Sequence, residues 1–174
     1  MTALNQPEPW LRGPVDGVPP ALQPAAHALI MAREDIDEAV SGLTADELWA
    51  TPGGAASIGF HVAHLIGSTD RLLTYARGET LSSEQKAALL RERGVSETRP
   101  QLQTLLAEWH AAVDAALDRL RATDERTLGD ARGVGKAQLP STVLGLIFHA
   151  AEHAARHTGQ IVTTAKVVRR GPAA

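Results

Sequence analysis

The stretch His149-Ala-Ala-Glu-His-Ala-Ala-Arg-His-Thr-Gly-Gln160 places His149, His153 and His157 at intervals of four residues. On an α-helix this interval brings each side chain back to within about 40° of the previous one, so the three imidazoles share one side of the helix. Gln160 falls on the same sector. Buried polar groups without partners cost about 1–3 kcal/mol each, and a metal ion would satisfy several of them at once. The spacing therefore predicts a helix with a metal-binding face.

This stretch lies in the longest of four predicted long helices, which covers residues 141–168 and contains no proline. Apolar residues at intervals of three and four predict the other three at 21–41, at 58–77 and, after a cap at Thr98, up to residue 122. Short helices are expected at 43–49 and 83–93, and a long loop at 123–138. No segment alternates apolar and polar residues as a strand would. The chain is therefore predicted to be all-α, a four-helix bundle with short extra helices.

The two ends of the chain are expected to lie outside this bundle. Residues 1–20 contain five prolines, which remove amide donors and restrict the residues before them, so an extended N-terminal arm is predicted. Trp10 and Leu11 are the residues expected to anchor the arm to the bundle surface. The bundle itself is assigned to residues 21–168, and residues 169–174 are expected to form a disordered C-terminal tail.

The composition excludes several classes of function. A net charge of −3 and a pI near 6.1 mean that the chain has no excess of positive charge with which to bind nucleic acid. No apolar run approaches the length of a membrane span or resembles a signal peptide, so a cytoplasmic protein without a membrane partner is expected. The chain has no cysteine, so any metal site must be built from histidine, carboxylate and water.

A second pair of histidines makes a three-ligand site plausible on spacing alone. His153 and His157 lie one turn apart on the last helix, and His61 and His64 lie three residues apart on the helix predicted at 58–77. Either His61 or His64 can supply the third ligand, and neutral imidazoles suit Zn, Ni, Fe, Mn or Co. The alternative is a helix whose imidazoles lie on the surface and bind nothing. His27 and His110 are each isolated in the sequence, and both are interpreted as structural residues.

The segment Gly59-Phe-His-Val-Ala-His-Leu65, taken with the segment His149–Gln160, resembles the DinB-like (DinB/YfiT) superfamily. The resemblance spans roughly residues 20–168 and implies a helical bundle of DinB/YfiT type, commonly dimeric, with a three-histidine site for a divalent metal. Carried over to this chain, the ligands are His64, His153 and His157.

The same resemblance implies roles for four neighbouring residues. His61, His149 and Gln160 correspond to residues that line the pocket or orient the ligands. Gly159 corresponds to a small residue that permits close approach of another helix.

The function implied by the resemblance is that of a metal-dependent enzyme acting on a small molecule. A thiol S-transferase or a hydrolase is expected, with a low-molecular-weight thiol as one candidate substrate, Zn or Ni as the favoured metal, and Fe, Mn or Co as alternatives. A homodimer is expected as well. Two other functions remain open at this point: a non-catalytic metal-binding stress or sensor protein, and a helical dimerisation module whose histidines only pack.

Overall fold

A computed structural model describes residues 6–170 and shows a mostly helical fold, as predicted. Its α-helices, in chain order, are α1 (Gln23–Val40), α2 (Ala45–Trp49), α3 (Ile58–Ala76), α4 (Ser83–Arg93), α5 (Val95–Thr98), α6 (Leu102–Arg121) and α7 (Val143–Arg170). One antiparallel hairpin, formed by β1 (Ala131–Val134) and β2 (Leu139–Thr142), separates α6 from α7. Within residues 6–170, no helix combines the length and the apolar character needed to cross a lipid bilayer.

Side-chain caps explain where several helices begin. Thr44 accepts a hydrogen bond from the Glu47 amide while the Glu47 carboxylate accepts one from the Thr44 amide, and this capping box starts α2 within the short helix expected at 43–49. The Ser57 hydroxyl accepts from the Phe60 amide and starts α3 at the predicted residue. α4 has a second capping box. These caps satisfy amides that the first helical turn leaves without intrahelical partners.

The four long helices surround one hydrophobic core. α7 contacts α1 and α3, and α6 contacts the same two helices. α1 runs antiparallel to α6. Arg33 pairs with Asp114, and Asp37, one turn later on α1, pairs with His110, one turn earlier on α6. The core includes several large and fully buried side chains: Leu22, Leu29, Ile36, Leu48, Ile58, Leu65, Leu105, Trp109, Leu120 and Ile161.

The β-hairpin corrects the prediction of a continuous loop followed by a helix from residue 141. β1 and β2 pair from Ala131 with Thr142 to Val134 with Leu139. The carbonyl groups of Asp130 and Leu128 accept hydrogen bonds from the first two amides of α7, and the Thr142 hydroxyl accepts from a third. The two residues before the hairpin and Thr142 at its end thus supply the partners that fix the start of α7 at Val143 rather than Ser141.

Two other predicted boundaries are wrong by a few residues. The helix expected after a cap at Thr98 begins at Leu102 instead, because Pro100 has no amide donor and Arg99 takes a left-handed conformation with φ of 44°. Thr98 itself ends the single-turn α5, which was not predicted. α7 continues through Arg169 and Arg170, the first residues of the expected disordered tail. The Arg169 guanidinium donates to the Ser41 carbonyl and so holds the last turn against the end of α1. Residues 171–174 lie outside the described residues.

The N-terminal arm packs differently from the prediction. Trp10 and Leu11 are each 57% exposed, whereas Pro9 and Val18 are buried. The Gln23 side chain, at the start of α1, hydrogen-bonds the backbone of the arm and turns Val18 inward. The anchors are therefore set by these backbone hydrogen bonds rather than by the largest apolar side chains. Residues 1–5 of the predicted arm lie outside the described residues.

Gly59→Ala should destabilise the protein, because a Cβ atom at this position would lie 2.6 Å from Cη2 of the buried Trp49 ring. Overpacking of this kind costs about 1–3 kcal/mol. Gly159→Ala on α7 is the matched control, since its added Cβ meets no atom within 4 Å and alanine stabilises a helix interior by about 1 kcal/mol over glycine. Urea unfolding measures both free energies of unfolding. A Gly59→Ala protein as stable as the wild type would contradict a close contact between α2 and α3 at this glycine.

Candidate metal centre

The candidate site lies where α3 and α7 pack side by side in opposite directions. His61 of α3 faces His157 of α7, and one turn further along α3, His64 faces His153. The register continues with Ser68, whose hydroxyl also reaches His153. The antiparallel register therefore brings the two histidine pairs predicted from the sequence into one cluster. We refer to this contact between the two helices as the α3–α7 seam.

Three imidazoles point the same ring nitrogen at a common centre. The Nε2 atom of His153 lies 3.3 Å from Nε2 of His64 and 3.2 Å from Nε2 of His157. One ligand atom from each of these three residues lies within 4.8 Å of the other two. The rings are only partly buried, so the centre is accessible from solvent.

The opposite ring nitrogen of each imidazole has a different partner. Nδ1 of His64 lies 2.6 Å from the Glu92 carboxylate, and Nδ1 of His153 lies 3.4 Å from the Ser68 hydroxyl. Nδ1 of His157 lies 3.0 Å from Nδ1 of His61. The carboxylate can only accept, and the Ser68 hydroxyl already donates to the Leu65 carbonyl. These partners assign the hydrogen to Nδ1 in His64 and His153 and leave their Nε2 atoms with free lone pairs. The Nε2 lone pair of His157 is free in the same way when its Nδ1 donates to Nδ1 of His61.

This donor set fits a divalent metal ion. The Nε2 lone pairs of His64 and His153 face each other at 3.3 Å with no hydrogen to share, an arrangement that a cation would stabilise. In a tetrahedral zinc site with Zn–N bonds of about 2.0–2.1 Å, neighbouring nitrogens are separated by roughly 3.3–3.4 Å. The two Nε2 separations are close to this value. Metal-ligating histidines usually donate their other ring N–H to a carboxylate, a backbone carbonyl or water, and Glu92 is such a partner for His64.

The sequence as a whole matches a known family. A family model of the DinB superfamily matches residues 28–161, which is well over half of the chain and includes all the histidines of the cluster. The chain belongs to the DinB superfamily. The resemblance expected from the two histidine segments is thereby confirmed. The chain matches no curated protein.

In this DinB-superfamily chain, the imidazole of His64 is held by the Glu92 carboxylate, which lies on α4. The second carboxylate oxygen of Glu92 accepts a hydrogen bond of 2.8 Å from Arg71, one helical turn past Gly67. A Cβ atom at Gly67 would lie 2.5 Å from the Arg71 guanidinium and 2.7 Å from the Glu92 carboxylate. The glycine therefore leaves the space in which Arg71 and Glu92 meet. Both of these side chains are almost buried, with exposed fractions of 12% and 11%.

The environment of His153 and His157 favours their neutral form. Burial, together with the nearby charges of His64 and His149, lowers the pKa of His153 to about 4. Burial likewise lowers the pKa of His157 to about 4, with the neighbouring His153 and His64 acting in the same direction. Burial raises the pKa of Glu92, but the hydrogen bonds from His64 and Arg71 outweigh it and the net shift is downward. At neutral pH His153 and His157 are thus unprotonated, and the Glu92 carboxylate is ionised.

The residues expected to surround the ligands are placed at different distances from the centre. His61 is 6% exposed, contacts His157 and has its pKa lowered by burial. Gln160 hydrogen-bonds His157, which acts against the lowering of its pKa. His149 is half-exposed, pairs with Glu152 at 3.2 Å and does not join the three converging rings.

Gly159 does not have the expected packing role, because a Cβ atom there would meet nothing within 4 Å. This face of α7 is exposed, so no helix approaches the glycine closely within residues 6–170. The two isolated histidines lie away from the cluster. His27 contacts the Gly13 carbonyl, and His110 lies 2.8 Å from Asp37.

Two supporting residues were missed by reasoning from the sequence. Ser68 follows His64 by one helical turn, and this spacing could have identified it. Glu92 lies 28 residues after His64 on a helix without a buried side chain, so no periodicity indicates its role. The one available signal is Gly67, a glycine inside a helix between His64 and Arg71, which indicates close approach of another group.

Glu92→Gln should weaken divalent-metal binding by about tenfold or more, because the neutral amide holds the Nδ1 hydrogen of His64 less strongly. Gly67→Ala should have a similar effect through the displaced Arg71 side chain. Glu84→Gln, on the exposed start of α4, is the control and should bind as the wild type does. Competition with a chromophoric chelator measures the affinities. Equal affinity in the Glu92→Gln and wild-type proteins would contradict a supporting role for this carboxylate.

The metal-free protein should lose stability as the pH falls from about 6.5 towards 4. In the unfolded chain His153 and His157 take up protons below their ordinary pKa of about 6.5, whereas in the folded chain both keep neutral rings down to about pH 4. Because the unfolded chain binds these protons and the folded chain does not, the free energy of unfolding decreases as the pH falls through this window. The full contribution of the two rings to stability is present above about pH 6.5. Urea unfolding at pH 7.5 and pH 5 measures the loss. The double variant His153→Gln/His157→Gln should show a smaller loss, and an equal loss would refute this origin.

Proposed function

We propose that this DinB-superfamily protein is a divalent-metal-dependent enzyme that acts on a small molecule through His64, His153 and His157, as a thiol S-transferase or a hydrolase. The observation that carries the proposal is the convergence of three Nε2 lone pairs whose rings are fixed from behind. Zn or Ni is the favoured ion because imidazole nitrogens suit both, with Fe, Mn and Co as alternatives. A four-helix bundle of DinB/YfiT type is part of the same proposal.

A divalent ion held by three imidazoles retains open coordination positions and lowers the pKa of a thiol or a water bound there towards neutrality. The residues of the chain have separate tasks in this scheme. Glu92 and Ser68 hold the hydrogens on Nδ1 of His64 and His153, which keeps both Nε2 atoms directed at the centre. His61 does the same for His157 from the buried side.

A cleft of about 500 Å³ next to the histidine cluster supports a small-molecule substrate. Its lining includes His61, which contacts the candidate ligand His157, and the polar side chains of Arg156, Gln160 and Thr163. Small-molecule sites occupy roughly 300–1,000 Å³. His64, His153 and His157 do not line this cleft, so in our proposal it holds a part of the substrate that lies away from the ion.

The proposal includes a homodimer in the cytoplasm. Leu144 and Phe148 lie one turn apart on α7 and are 42% and 65% exposed, and Leu139 of the hairpin is 61% exposed. Exposed apolar residues grouped in this way are typical of protein interfaces. We assign the contact between the two copies to this surface.

The purified protein should contain about one divalent ion per chain, and His64→Ala or His153→Ala should each remove it. His110→Ala, whose imidazole pairs with Asp37 outside the cluster, is the matched control and should retain the metal. Elemental analysis measures the metal content. Consumption of a low-molecular-weight thiol with a haloaromatic electrophile, and hydrolysis of a nitrophenyl ester, measure the two candidate reactions. Light scattering on the same preparation measures the oligomeric state.

The outcomes distinguish the possible functions. Turnover that disappears with the metal supports the enzyme, and the assay that shows it selects transferase or hydrolase. A stoichiometric metal without turnover in panels of thiols and esters would favour a metal-binding stress or sensor protein. Absence of metal under all conditions would leave only a module whose histidines pack against one another, and it would refute the proposal.

A further inference from the structure

A second cleft lies at the other end of the α3–α7 seam. It has a volume of about 440 Å³ and is formed where α3 and α6 end and α7 begins. Leu73, on its wall, follows His64 by nine residues, which corresponds to about 13 Å along the helix axis. The cleft shares no lining residue with the histidine cluster. We call it the arginine cleft, after Arg77, Arg119 and Arg132, which line it.

Two of the three guanidiniums are held in place by backbone carbonyls. Arg132 donates from Nε to the Ala76 carbonyl and from Nη1 to the Ala131 carbonyl, both at 2.8 Å. Arg77 donates from Nη1 to the Leu73 carbonyl at 3.2 Å. Carbonyl partners fix the direction of a guanidinium without neutralising its charge. Both positive groups are therefore oriented before any ligand arrives.

The positive charge of the arginine cleft is only partly compensated. Glu79 pairs with Arg77, and Asp124 is occupied by Arg126. The nearest carboxylate to Arg132 is Asp130, at 4.0 Å. Within residues 6–170, the guanidinium of Arg119 has no hydrogen-bond or ion-pair partner, and the buried Nε of Arg77 has none either. Since Asp124 is paired with Arg126, the three guanidiniums are opposed by Glu79 and, at 4.0 Å, by Asp130, which leaves one positive charge in excess.

The remaining wall of the cleft is apolar. Leu73 and Ala76 of α3 and Val143 and Ile147 of α7 contribute side chains that belong to the hydrophobic core. A ligand that fits this surface needs a hydrocarbon body as well as a negative charge. A single charge in excess favours a monoanion over a phosphate dianion.

We propose that the arginine cleft binds a small organic carboxylate with a compact apolar body. The carboxylate is held by Arg119 together with Arg132, and the hydrocarbon part lies against Leu73 and Ile147. Planar guanidiniums match the geometry of a carboxylate and form charge-assisted hydrogen bonds with it. Binding here is independent of the proposed function, because the histidine cluster takes no part in it.

Benzoate is the probe, and isothermal titration calorimetry with the full chain measures its affinity. Saturable binding is expected for the wild type. Arg119→Gln should weaken it by about tenfold, the usual effect of removing a hydrogen bond to a charged group. Arg93→Gln, an exposed guanidinium on α4, is the matched control and should bind as the wild type does. Arg119 is exposed, so its substitution leaves the core intact.

Three further measurements distinguish carboxylate binding in this cleft from binding at another place or through another chemistry. His153→Gln should bind benzoate normally, and loss of binding in that variant would place the carboxylate at the histidine cluster and overturn the proposal. Benzyl alcohol should bind much more weakly than benzoate, and equal affinity would show a merely apolar pocket and contradict the proposal. Inorganic phosphate should not compete, and competition that depends on Arg119 would overturn the choice of a carboxylate. Absence of benzoate binding to the wild type would also refute the inference.

Discussion

The close antiparallel packing of α3 and α7 is the constraint on which the rest of the structure depends. The buried face of α7 is made of alanines in its central turns, and Ala150, Ala151 and Ala154 are each at most 3% exposed. Small side chains allow helix axes to approach at the lower end of the usual 8–10 Å range. Imidazoles from the two helices can then meet at their ring nitrogens, as His64 and His153 do at 3.3 Å.

This packing has an electrostatic consequence that reaches beyond the two helices. An imidazole that binds a metal through Nε2 carries a hydrogen on Nδ1, and this hydrogen requires an acceptor. His64 finds its acceptor in Glu92 on α4, a helix that buries no side chain of its own. α4 is held to α3 by polar contacts at both ends, through Glu92 and through Gln85, which donates to Asp70 and to Thr74. The hydrogen bond between Nδ1 of His64 and Glu92 therefore both orients the imidazole and holds α4 against α3.

The features that could be predicted from the sequence are those that follow from a regular spacing of residues along the chain. The long helices follow from their apolar periodicity, and the pair His153 and His157 follows from the four-residue interval. The choice between His61 and His64 did not follow, because both lie in the first two turns of α3 and only the register against α7 separates them. In the structure it is His64 that lies in the converging triplet, whereas His61 contacts His157 from behind. The hairpin was missed because its four-residue strands pair Gly133 with Pro140, neither of which favours a strand.

The positive charge of the arginine cleft is stabilised by the helix ends that meet there. α3 and α6 run in the same direction, so their C-terminal carbonyl groups are exposed together at the end where the arginine cleft lies. The negative ends of helix dipoles stabilise cations, and Arg77 and Arg132 each donate to a carbonyl in the last turn of α3. Dipoles supply partial charges only, so three guanidiniums can gather there without three carboxylates to neutralise them. Glu79 and Asp130 oppose two of the three positive charges, and Asp124 is already paired with Arg126, so within the described residues one positive charge stays available to a ligand.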